Sequence, residues 1–192
     1  MVRKEIITIN GVPGAGKSST ADLVARELGY DRFSSGDFMR KIALERGVTL
    51  NKLSEMAEKD TSIDQAIDEE VKKLRNRGGT VIDSRLAFHW IPESFKVFLD
   101  LPLNISKERI FKDFEENKLR QASEKRAGTS EEVYEKITKR LESERKRYRE
   151  LYSIEDHTDK KNYDLVVDTN KNNLEGVARI IVRSYREWLT ER

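Results

Sequence analysis

The chain has 192 residues, with 37 Lys or Arg set against 35 Asp or Glu and a formal net charge of +2. So even a balance builds no polyanion-binding face, which excludes nucleic acid as an expected partner. The lack of Cys excludes disulfides, thiolate metal sites and Cys nucleophiles. No apolar run nears the roughly 18 residues that span a membrane, and the N-terminus enters a strand pattern with no leader-like stretch. A single cytoplasmic, monomeric domain is the expectation.

Short β-branched runs alternate with longer helical ones, a pattern that predicts an α/β fold, a parallel sheet with helices on both faces. The first strand is Glu5–Ile9, carried by Ile6, Ile7 and Ile9. A helix follows over Lys17–Leu28, with Ala21, Val24, Ala25 and Leu28 on one face and Gly29 as its stop. A short strand is predicted at Asp31–Phe33, then helices over Asp37–Arg46, Leu50–Glu58 and Ser62–Arg77. Thr80–Asp83 and Phe95–Asp100 read as buried strands. From Asn104 to Tyr152 the pattern is helical and highly charged. Leu165–Asp168 is the last strand, and Leu174–Leu189 closes the chain as an amphipathic helix. Ligands of such sheets sit at the carboxyl ends of the strands, so residues 10–18, 34–40, 83–86, 100–103 and 168–171 carry the most functional weight.

The first of these stretches, Gly11-Val12-Pro13-Gly14-Ala15-Gly16-Lys17-Ser18, has the phosphate-loop spacing between a predicted strand and a predicted helix. Its glycines let successive backbone N–H groups face inward as an anion nest, and the following helix adds its positive end. Lys17 brings a mobile charge to the β- and γ-phosphates, and Ser18 offers a hydroxyl to Mg²⁺. Binding of a nucleoside triphosphate follows.

Around it stand candidates for an acceptor. Ser35 or Asp37 can cap the helix after the second strand, and Arg40, one turn after Asp37, can face the same cleft; a plain capped helix with a surface Arg is the competing reading. Asp83 ends the third strand, where a carboxylate can hold a Mg²⁺-bound water or form an ion pair with a basic neighbour. Arg85 beside it can grip a phosphate with two hydrogen bonds. Between Ser106 and Glu150 there are fourteen basic and eleven acidic residues. Most are read as solvated i,i+4 partners, but Arg140 and Arg147 run along an apolar stripe of Val133, Ile137, Leu141 and Tyr148 and are placed as phosphate-facing arginines of a lid. His89 and His157 have no metal-ligand spacing and read as structural.

Taken together, ITINGVPGAGKSST, SSGDFMRK, VIDSRL, KRLESERKRYRELYSI and YDLVVDTNK, in that order and over nearly the whole chain, resemble the P-loop nucleoside monophosphate kinases, nearest the archaeal-type cytidylate kinases. The resemblance implies a five-stranded P-loop fold made of a core (1–35, 78–105, 160–192), an acceptor-binding region near 36–77 and a helical lid near 106–152. It implies ATP as co-substrate, Mg²⁺ at Ser18 and Asp83, and small-molecule nucleotides as partners, with CMP or dCMP the acceptor. ATP would be bound by Gly11, Pro13, Gly14, Ala15, Gly16, Lys17, Ser18 and Ser19, with Arg109, Asn170 and Lys171 near its base. Ser35, Gly36, Asp37, Arg40 and Arg85 would hold the acceptor, and Lys17, Arg85, Arg140 and Arg147 would act on the transferring phosphoryl group. The chain departs from the family pattern twice: Phe111–Lys125 reads as an insertion, and Asp83-Ser84-Arg85 stands where Glu-Gly-Arg is the family form. A kinase of a hydroxyl acceptor, with Asp37 as base, and a nucleotide-dependent binding module are the competing readings.

Overall fold

A computed structural model describes residues 3–116 and 129–190. Five parallel strands, β1 (Ile6–Gly11), β2 (Asp31–Ser34), β3 (Thr80–Asp83), β4 (Phe95–Asp100) and β5 (Leu165–Asp168), form one sheet in the order β2-β3-β1-β4-β5. Around it lie α1 (Lys17–Leu28), α2 (Ser35–Glu45), α3 (Leu50–Ala57), α4 (Ser62–Leu74), α5 (Ala87–Trp90), α6 (Leu103–Glu116), α7 (Ser130–Tyr152) and α8 (Leu174–Thr190), with a 3₁₀ turn at Lys160–Asn162. Among the described residues the predicted strands and long helices are all present, to within a turn; the part of the helical stretch at 117–128 lies outside them. Only α5 and the 3₁₀ turn were not anticipated, both too short to show a period. The proposed insertion falls partly on the end of α6; its remainder, from 117, lies outside the described residues.

Strand alternation divides the core. Ile7 and Ile9 of β1 pack with Ala21, Val24 and Ala25 of α1 and Val177, Ile181 and Tyr185 of α8 on one face of the sheet. On the other, Ile6 and Ile82 meet Val71, Ala87 and Ile91. Two smaller clusters stand apart. Ala43, Leu53, Ala57 and Ile63 join α2, α3 and α4, while Val133, Ile137 and Leu141 of α7 rest on Leu103, Ile110 and Phe111 of α6.

Register aligns the carboxyl ends of all five strands. Ile9 and Ser34 both pair with Asp83, Gly11 pairs with Leu99, and Asp100 pairs with Asp168. The central strand therefore delivers the phosphate loop to the middle of one sheet edge, between two strands leading to opposite sides. Gly11 is forced there by proximity: a Cβ would stand 2.5 Å from the Leu99 carbonyl oxygen. The Gly11→Ala variant should accordingly be less stable by about 2 kcal/mol, read from the urea midpoint; an unchanged midpoint would show that β4 yields there freely.

Candidate active site

The loop closes on itself through Lys17. Its Nζ donates to the carbonyls of Gly11 and Val12, at 2.9 Å each. Gly16, left-handed at φ 82°, starts α1 and leaves the helix N-terminus open toward the loop. Ser106 Oγ of α6 donates to the Pro13 carbonyl at 2.5 Å, which fastens the loop to α6. Pro13, Gly14, Gly16, Lys17, Ser18 and Ser19 line a cleft of about 810 Å³. Gly11 sits behind it as a carbonyl acceptor, and Ala15 is 2% exposed and packs into the core.

On the β2–β3 side, Ser18 Oγ donates to Asp83 Oδ2 at 2.8 Å, and Ser34 Oγ reaches the same oxygen at 3.3 Å. Arg32 Nη2 stands 3.8 Å from it. The pairing of a loop hydroxyl with a strand-end carboxylate is an all-oxygen set of the kind Mg²⁺ prefers. Ser35 Oγ bonds the Asp83 carbonyl at 3.2 Å. The helix cap differs from expectation: Ser34, not Ser35 or Asp37, caps α2, accepting from the Asp37 amide at 3.3 Å. Ser34 is the last extended residue, so its side chain meets the first free N–H groups. Asp37 is instead clasped by Arg40 and by Arg32 Nη1 at 2.9 Å. Burial pushes the Asp37 carboxyl up, but the Arg40 hydrogen bond and charge, with those of Arg32, outweigh it and hold it below the usual value.

Opposite stands α7. Glu144, 4% exposed, accepts from Arg85 Nε at 2.8 Å and from Arg140 Nε at 2.9 Å. Arg85 Nη1 then reaches the Gly11 carbonyl at 3.1 Å. Burial opposes ionisation of Glu144, yet the two guanidiniums prevail and hold its carboxyl well below the ordinary range. One turn on, Arg147 Nε donates to Asp64 Oδ2 of α4 at 2.9 Å and Nη1 to Ser143 Oγ at 2.8 Å. Burial raises the Asp64 carboxyl despite Arg147. Asp68 beside it accepts from Trp90 Nε1 at 2.9 Å and from the Tyr152 hydroxyl.

The cleft thus gathers Ser35, Gly36, Asp37, Arg40, Asp83, Arg85, Arg109, Arg140 and Arg147, all anticipated from the sequence. Arg109 spans from α6 to the Thr169 carbonyl at 2.7 Å. Asn170 and Lys171 do not line it; both are exposed, with their amides turned onto Asp168 Oδ1, and Leu174 forms that end of the wall instead. Glu144, Asp64, Asp68 and Arg32 were not anticipated. Glu144 carried a legible signal: it falls between Leu141 and Tyr148 on the buried stripe of α7, where an acid needs a partner.

Among the described residues no helix is long and apolar enough to cross a membrane. A family model described as an AAA domain matches residues 10–139. The chain is 37% identical over 183 residues to a cytidylate kinase of Methanocella arvoryzae, covering 95% of this chain and 97% of the relative. It is 33% identical to a cytidylate kinase of Methanocaldococcus jannaschii, over 92% and 94% of the two chains. This chain belongs to the cytidylate kinase family. Its fold is that of P-loop kinases: a shikimate kinase from Acinetobacter baumannii superposes with a TM-score of 0.61 at 17% identity, covering 97% of this chain and 95% of the other. A gluconokinase from Sinorhizobium meliloti superposes at 0.59 and 15%, over 98% and 95%.

The cations crowded at the loop shift Lys17. Burial lowers its amine, Arg85 and Arg140 lower it further, and Asp83 and Glu144 only partly oppose them, leaving it at about 7. At pH 8 the free amine is mostly uncharged, and a triphosphate placed against it would restore the proton. Calorimetry of ATP binding at pH 8 in buffers of different ionisation heat should register uptake approaching one proton; zero uptake would mean that the amine is not so perturbed.

Proposed function

We propose that this chain transfers the γ-phosphoryl group of ATP to CMP or dCMP, giving ADP and the diphosphate, as a cytoplasmic monomer acting on free nucleotides. The observation that carries this reading is the seat of Arg85. Its guanidinium lies between the Gly11 carbonyl and Glu144, at the boundary of the phosphate loop and the acceptor side of the cleft. The relatives named cytidylate kinase, matched along almost their full length, supply the acceptor.

The donor lies over the loop, its phosphates on the backbone amides and Lys17, its base toward Arg109 and Leu174. Ser18 and Asp83 would hold Mg²⁺, Ser18 by its hydroxyl and Asp83 through a bound water; when bound, the ion neutralises charge on the β- and γ-phosphates. The acceptor lies between α2, α4 and α7. Arg40 and Arg85 take its phosphate. Arg140, which shares Glu144 with Arg85, faces the transferring group, whereas Arg147, paired with Asp64 across the cleft, belongs to the acceptor's nucleoside end. An oxygen of the acceptor phosphate attacks the γ-phosphorus as the bond to the β–γ bridging oxygen breaks.

No general base is required. A phosphate monoester has its second pKa near 6, so the nucleophile is already an anion at neutral pH. Asp37 is unsuited to deprotonating a hydroxyl, since two arginines hold it and depress its basicity.

ADP release should be stimulated most by CMP and dCMP in a panel with UMP, AMP, GMP, dTMP, shikimate and gluconate. Stimulation by a hydroxyl acceptor alone would overturn the reading. Lys17→Ala should cost at least roughly 100-fold in kcat with every acceptor. Arg85→Ala should lower kcat/KM for the monophosphate by a similar factor; unchanged kinetics would remove Arg85 from the site.

A further inference from the structure

His157 has no place in the scheme above, yet it is 1% exposed and neither ring nitrogen has a hydrogen-bond partner among the described residues. Its backbone is fixed: its carbonyl accepts from Asn10 Nδ2 at 3.0 Å, at the end of β1, and from the Tyr163 hydroxyl at 2.5 Å. Its ring stands edge-on to Tyr148, with centroids 5.2 Å apart. Nε2 lies 3.5 Å from Glu144 Oε2, the oxygen that holds Arg85. At that gap the imidazole already helps to hold the carboxyl ionised, and a shift of about 0.5 Å brings it to full hydrogen-bond distance.

We infer that His157 is a positioning residue, a reserve donor that takes over the Glu144 carboxylate when Arg85 and Arg140 turn to the substrate phosphates. The inference rests on the phosphotransferase reading of the cleft. Glu144 is buried, and both of its oxygens are engaged by the two arginines. A guanidinium that swings toward a phosphate leaves a buried carboxylate oxygen unpaired, which penalises the swing unless another donor arrives. Among the described residues, His157 is the buried group beside Glu144 that still has donor capacity unused. The imidazole thus lowers the cost of presenting Arg85 and Arg140 to the phosphates, and it touches no substrate itself.

The test compares His157→Phe, which keeps a ring of similar shape and removes the donor, with His157→Gln, which restores an N–H at about the same reach. Each is made in the wild-type and Glu144→Gln backgrounds. His157→Phe should lower kcat about tenfold and weaken ATP binding in calorimetry, with Tm unchanged. His157→Gln should recover most of both, and in the Glu144→Gln background the Phe substitution should add little. Wild-type kinetics in His157→Phe would overturn the inference, as would equal losses in both variants in step with Tm, or a Phe penalty undiminished by Glu144→Gln. Inactivity of the wild type with CMP would overturn the acceptor assignment instead, and the His157 effect would still be read from ATP affinity.

Discussion

Positive charges collected for a polyanion repel one another, and the cleft is organised around that constraint. Each guanidinium that faces it from α2, from the turn after β3 or from α7 is met by a carboxylate from the wall. Glu144 serves Arg85 and Arg140, Asp64 serves Arg147, and Asp37 serves Arg40. Arg32 is divided among Asp22, Asp37 and Asp83. The amine of Lys17 instead rests on two carbonyls, and its proton affinity falls to near neutrality. In the proposed reaction phosphate groups compete with carboxylates for arginines already in place, so the site discriminates by geometry as well as by charge.

The packing sets the two walls of the cleft largely apart from the sheet. The apolar cluster of α2, α3 and α4 and that of α6 and α7 are distinct from the two clusters that grip the sheet. Polar bonds connect them to the loop, to the turn after β3 and to each other: Ser106 to Pro13, Arg85 to Glu144 and Arg147 to Asp64. Such contacts can be exchanged for contacts to a ligand without opening an apolar core.

Much of this was legible in the sequence because it obeys short-range rules. The strands announce themselves by β-branched runs, the phosphate loop by fixed spacing between a strand and a helix, and Arg85 by its place just after a strand. What escaped was pairing at long range. Glu144 is one of eleven acids in a stretch with fourteen bases, and its importance depends on Arg85, 59 residues away, lying against it. Asp64 and Asp68 lie on the buried side of α4 beside Ile63 and Val71, but their partners Arg147 and Tyr152 lie more than 80 residues later. Asn170 and Lys171 are a different case, outside the cleft wall. A position after the last strand drew weight to them, whereas an Asx-type turn onto Asp168 spends their amides locally.

Helix α4 runs through both worlds. Its first half gives Ile63 to the cluster shared with α2 and α3, and its second half gives Val71 to the sheet. The seam between the sheet core and the proposed acceptor side therefore falls inside one helix, at Asp64, Ile67 and Asp68, the residues it shows to the cleft. On the proposed reading, substitutions on its leading half reshape the acceptor side while the trailing half stays packed on the sheet. A scaffold divided in this way can trade one acceptor for another without relearning how to hold a triphosphate.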